Sequence, residues 1–145
     1  MASLSTYLEN KIIDWLYRGQ AFVPPAILYV ALMTTPQSAD GSAGVEVAGN
    51  AYARVAIAAG LANWAGTQGV GTTAASNGTS GKTSNNAAVA FPTPTGAWGT
   101  VQGVAFYDAP AGGNLINYGI LSTQQTVGAQ NTLSFNPAQL TLTVS

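Results

Sequence analysis

Residues 76–83 read SNGTSGKT, and the closing Gly-Lys-Thr has the residue types and spacing that end a phosphate-binding loop. That chemistry needs G-x-x-x-x-G-K-[ST], and here Ser76 stands where the first glycine belongs. A phosphate cradle also needs a buried strand before the loop and a helix after it, whose free N–H groups hold the anion. The preceding GTQGVGTTAA offers no apolar strand, and the following SNNAAVAFP is stopped at Pro92. The run reads as a loop in which Lys82 aids solubility, and no nucleotide is expected.

The remaining acid–base groups are few. Glycoside hydrolysis needs two carboxylates across a cleft, and only five carboxylates exist. Glu9 and Asp14 fall on a helical pattern where capping and pairing account for them. Asp40-Gly41 is a turn pair, and Asp108 ends a strand where its side chain can accept from free backbone N–H groups. A serine nucleophile without histidine needs a lysine base, and neither Lys11 nor Lys82 stands in a Ser-x-x-Lys context. Asp40 and Glu46 lack the alternating acidic ligands of a calcium loop. No catalytic residue, metal site or cofactor is expected. Trp64 and Trp98, in NWAGT and TGAWGT, are the residues able to stack on a sugar ring, although such indoles more often anchor loops.

Composition limits the partners. The 145 residues include four cationic and five anionic side chains, 6% charged against roughly 25% in an ordinary soluble domain. The net charge is −1, so solubility rests on Ser, Thr, Asn, Gln and Gly, and such a surface favours association, including with copies of itself. The scattered cations form no stripe for nucleic acid. The most apolar stretch, AFVPPAILYVALM, is short and broken by Pro24 and Pro25, so no membrane insertion is expected. Without cysteine there are no disulfides. The N-terminus lacks a signal-peptide pattern, which predicts a protein made in the cytosol and kept there until assembly.

The elements that would position these groups begin with a helix over about 4–18. Leu4, Leu8, Ile12, Trp15 and Leu16 make one apolar stripe at helical spacing. Thr6 with Glu9 has capping-box spacing, with Ser3 and Ser5 as alternative caps, and Gly19 suits the stop. Asp14 and Arg18 can pair one turn apart. The stripe must bury against the body or a neighbour, which makes Leu8, Ile12, Trp15 and Leu16 candidate interface residues.

Beyond Pro25 the period changes to two. ILYVALMT is apolar on both faces, Leu28, Val30 and Leu32 against Ile27, Tyr29, Ala31 and Met33, as in a strand buried on two sides. Further strands are predicted at 52–59, 87–91, 100–108, 114–122 and 139–145, with a weaker one at 131–135. In the last full strand Leu140, Leu142 and Val144 should point inward. A Gly/Ser/Thr-rich loop fills about 60–86, interrupted by Leu61 and Trp64. The expectation is mainly β: a single-domain antiparallel β-sandwich spanning 1–145 with a short N-terminal amphipathic helix.

Several stretches, STYLENKIIDWLYRGQAF, PPAILYVALMTTP, YARVAI, FPTPTGAWGTVQGVAFYDAPAGGNLINYG and FNPAQLTLTV, together resemble a family of small bacteriophage structural proteins commonly labelled phage tail fibre proteins. The resemblance covers most of the chain in order, omitting 37–50 and 60–84. It implies a non-enzymatic virion component on the particle exterior, in contact with other phage structural proteins of capsid or tail. The compact, shaftless reading leans to capsid decoration, cement or an adaptor. The alternative is a tail fibre or tail-tip protein that recognises a host surface glycan.

Overall fold

The computed structural model describes residues 2–144. In chain order the elements are β1 (Ala2–Leu4), α1 (Thr6–Arg18), β2 (Ile27–Thr35), β3 (Val45–Glu46), β4 (Val55–Ala58), β5 (Lys82–Ser84), β6 (Val89–Ala90), β7 (Gly99–Tyr107), β8 (Leu115–Val127), β9 (Ser134–Phe135) and β10 (Thr141–Thr143). The chain is mainly β. Eight strands form one sheet in the order β3-β2-β7-β8-β1-β10-β5, with β4 beside β3 on the same edge of β2, while β6 and β9 form a separate pair. Every pairing is antiparallel except that of β1 with β10.

The two apolar faces read in ILYVALMT belong to two separate cores. Val30 and Leu32 join Phe106, Val101, Ile116 and Leu142 on one face, which the small β6–β9 sheet covers with Val89, Phe91, Leu133 and Phe135. Ala31 and Met33 join Ala105, Tyr107 and Leu115 on the other. Residues 37–44 lie over this second face. A Cβ placed on Gly44 would stand 2.7 Å from the Met33 methyl carbon, and the Gln37 amide donates to the Tyr107 hydroxyl at 3.0 Å. The sandwich is therefore unequal, a broad sheet with a two-stranded second layer. At its centre β7 and β8 approach so closely that a Cβ on Gly103 would lie 2.7 Å from the Gly119 carbonyl oxygen, which leaves glycine as the residue that fits.

Helix α1 starts two residues later than its apolar pattern. Leu4 is extended and pairs with Asn117 of β8, so it leaves the helical stripe. Of the alternative caps, Ser5 is the one used: its hydroxyl accepts from Leu8 N at 3.2 Å. Gly19 closes the helix at φ 67°, and Asp14 pairs with Arg18 at 3.0 Å. Strands β1, β3 and β5 carry no periodic signal, being two or three residues long. The strand expected at 52–59 shrinks to β4, and that expected at 87–91 to β6. Val144, expected inward, is 59% exposed, because β10 ends at Thr143.

The 60–86 segment is more ordered than its composition suggests. Its neck is tied where Ala65 N donates to the Ser84 carbonyl at 2.9 Å and the Thr83 hydroxyl to the Ala65 carbonyl at 2.7 Å. Beyond the neck, residues 66–81 fold back on themselves through their own polar groups. Gln68 donates to the Ala74 and Ala75 carbonyls, and Thr67 exchanges hydrogen bonds with Gly78. Lys82 and Thr83 of the SNGTSGKT run lie in β5, paired with β10, with no helix after them.

Candidate functional site

Most groups with chemical potential are already engaged in holding the fold. The Asp108 carboxylate accepts from Asn114 N at 2.7 Å and from its side-chain amide at 2.8 Å, bridging the β7–β8 turn as its position in the sequence suggested. Asp40 accepts from the Ser38 hydroxyl and from both the backbone and hydroxyl of Ser42. Those bonds, the Ser38 hydroxyl first, hold its pKa below the usual carboxylate value. Among the described residues no group of three acidic, histidine or cysteine side chains could hold a metal ion.

The most elaborate polar cluster centres on Arg54, which sequence reading passed over. Its side chain is only 6% exposed, and its guanidinium forks onto Glu46 through Nε at 2.8 Å and Nη2 at 2.7 Å. Nη1 donates to the Ala109 and Gly112 carbonyls, both at 2.8 Å, and the guanidinium carbon stacks 3.9 Å from the Tyr107 ring centroid. The Tyr52 hydroxyl donates to Glu46 at 2.8 Å and accepts from Leu32 N at 3.0 Å. Burial opposes the charge on Arg54, but the hydrogen bonds and charge of Glu46 outweigh it and raise its pKa. Burial also pushes the Tyr52 phenol up. The cluster ties β2, β3, the residues just before β4 and the turn after β7 into one knot. A signal for it existed: Glu46 and Arg54 are the only charges between Asp40 and Lys82.

Trp98 and Trp64 both pack against the main core. Trp98 is 5% exposed, its indole N–H donates to the Asn50 carbonyl at 3.0 Å, and its ring meets Tyr52 edge-on at 5.4 Å. That leaves no open ring face at Trp98 for a sugar to stack on. Trp64 is half-buried, packed edge-on against Phe106 at 6.0 Å. The two residues are not brought together as a sugar platform.

The helix residues behave differently. The stripe divides along its length: Leu8 packs with Tyr7 against the main core and Ile12 is half-buried, whereas Trp15 is 55% and Leu16 59% exposed. No residue of α1 is buried. A second apolar line, Ile13, Leu16 and Tyr17, faces outward at i, i+3, i+4 spacing, and Val23 follows in the linker at 87% exposed. Sequence reading missed Ile13, Tyr17 and Val23 because it assigned the helix one apolar side. Among the described residues, six of the eleven exposed large apolar side chains fall within residues 13–27, so exposed apolar surface is concentrated there. No helix among the described residues is long and apolar enough to cross a membrane.

Residues 3–143 match the family model described as podophage GP4 fiber I protein gp80. Comparison with curated proteins gave no match.

Proposed function

The chain belongs to the family of the podophage GP4 fiber I protein gp80, a phage fibre structural protein, and from that membership we propose that it is a compact attachment subunit on the exterior of the virion. The observation that carries this reading is the exposed apolar surface of residues 13–27. Trp15, Tyr17, Leu16, Ile13, Val23 and Ile27 together present on the order of 600 Å² of apolar surface, taking aromatic side chains at roughly 200 Å² each. Trp15 lies on the side of α1 that carries Leu8 and Ile12, and Ile13 and Tyr17 on the opposite side, so these side chains wrap the end of the helix and the linker rather than forming one flat patch. Their summed area approaches the roughly 800 Å² of one side of a standard interface. The proposed partner is another phage structural protein, held through neutral contacts. The charge-poor surface also supports association between copies of this chain.

Family membership supports a fibre role over the capsid decoration or cement role that the compact body suggested. Counting copies per purified particle separates them: a number matching the capsid lattice supports decoration, and a handful supports the tail. Glycan contact through Trp98 draws no support from a ring so enclosed. The attachment surface itself is tested with Trp15→Ser and Leu16→Ser combined. Both side chains are more than half exposed, so the variant should melt like the parent yet fail to join the particle. Normal incorporation would overturn the assignment of this surface.

A further inference from the structure

The long strand β8 is incompletely paired. On one side it meets β1 only from Asn117 to Gly119. On the other, β7 pairs at Gly103–Ile120 and resumes at Val101–Gln125, so β7 advances two residues while β8 advances five. Among the described residues, 121–124 thus have no strand partner in register on either side, and residues 122–126 are exposed. An open cleft of about 610 Å³ lies alongside, between β8 and the segments carrying β9 and β10. Its floor is the main core itself: Val104, Phe106, Leu133, Phe135 and Leu140. Its rim includes Ser122, Thr123, Gln125 and Gln139, and no charged residue lines it.

Strand β1 shows how this gap is filled elsewhere. It lies antiparallel to β8 and parallel to β10, with Ala2 opposite both Gly119 and Leu142, and Ala2 lines the cleft. The cleft continues the line that β1 occupies, between β8 residues 120–125 and residues 139–141 at the start of β10. Natural edge strands are guarded by charges, lysine above all, or by proline. Residues 120–127 of β8, ILSTQQTV, carry neither.

We propose that this cleft receives an extended segment of another virion protein as an added β-strand, antiparallel to β8. The segment is uncharged, because the lining offers no counter-charge. It is alternately apolar and polar, because alternate side chains would face the core floor and the hydroxyl- and amide-bearing rim. A second copy of this chain is the less suitable donor. Among the described residues its irregular stretches are either broken by Pro24 and Pro25 or tied up in their own hydrogen bonds, as in residues 66–81. The proposal rests on the virion role but uses a face separate from the Trp15–Leu16 surface.

Hydrogen exchange of the dilute isolated chain, compared with the chain on intact particles, tests it. The expected result is rapid exchange at residues 121–124 in isolation and at least about tenfold slower exchange on the particle. Thr123→Pro, which removes one N–H from the exposed run that lacks a strand partner, should melt like the parent and join particles poorly. Unchanged exchange on the particle overturns the proposal, as does protection already present in the dilute chain. Protection that rises with concentration of the isolated chain would identify a second copy as occupant and would equally overturn it. Because the Trp15→Ser, Leu16→Ser variant reports on the other face, failure of one assignment is distinguishable from failure of the other.

Discussion

Arg54 shows what a rare charge does in a chain with so few of them. Its guanidinium spends four hydrogen bonds on Glu46 and the carbonyls of residues 109 and 112. Replacing Glu46 by Gln removes the counter-charge but leaves the cation enclosed, so unfolding in denaturant should occur at lower concentration by an amount equivalent to about 3 kcal/mol. An unchanged midpoint would show that the fork contributes nothing net. Tyr52 adds a pH dependence. Its phenol is pushed up, chiefly by burial, from an ordinary 10.0. The unfolded chain therefore releases this proton at a lower pH than the folded chain. The stability it contributes is complete below pH 10 and declines as pH rises past it. Melting temperature should fall on the alkaline side, and Tyr52→Phe should flatten that fall. The same variant costs about 1–3 kcal/mol at neutral pH, because Leu32 N–H and Glu46 each lose a partner.

At the scale of elements, α1 depends on one buried serine. Ser5 caps the helix through Leu8 N, donates its hydroxyl to the Leu115 carbonyl, and gives its own N–H to the Ile116 carbonyl at 2.9 Å. Ser5→Ala forfeits the cap and leaves a buried carbonyl short of a donor, which should lower stability by about 2 kcal/mol and accelerate amide exchange at the start of α1. The helix stop at Gly19 was legible because such signals are local, while the start was off by one residue, with Ser5 capping in place of Thr6, the first choice from its spacing to Glu9. Strand β2 was legible because two apolar faces on eight residues admit few alternatives. Strand β1 was not legible. Its three residues acquire their conformation from partners at Gly119 and Leu142, which no local pattern reveals. Ile13 and Tyr17, which extend an outward line from Leu16, were missed for a related reason: periodicity tells which residues share a side, not which side meets the body. Strand β8 runs on to Val127, past the strand end expected at 122, and its gap at 121–124 straddles that expected end, where pairing rather than propensity decides.

For the whole molecule, the termini matter most. The first strand lies between β8 and the last strand, so the two ends of the chain close the same sheet. We expect residues 1–145 to unfold as one unit. Far-ultraviolet circular dichroism, which follows strand and helix content, and tryptophan fluorescence, to which enclosed Trp98 and half-buried Trp64 contribute, should give coincident melting curves. Two separated transitions would divide the chain into independently stable parts. A cooperative body also keeps the two proposed contact faces rigid with respect to each other.

The loop over 66–81 closes on its own polar groups above a hydrogen-bonded neck at Ala65, Thr83 and Ser84. Its tip contributes nothing to either core, which makes it a natural cassette for peptide display. A short foreign epitope spliced after Ala75 should leave melting unaltered and be captured by antibody on intact phage. Loss of folding on such grafting would mean that the neck relies on the tip for its closure.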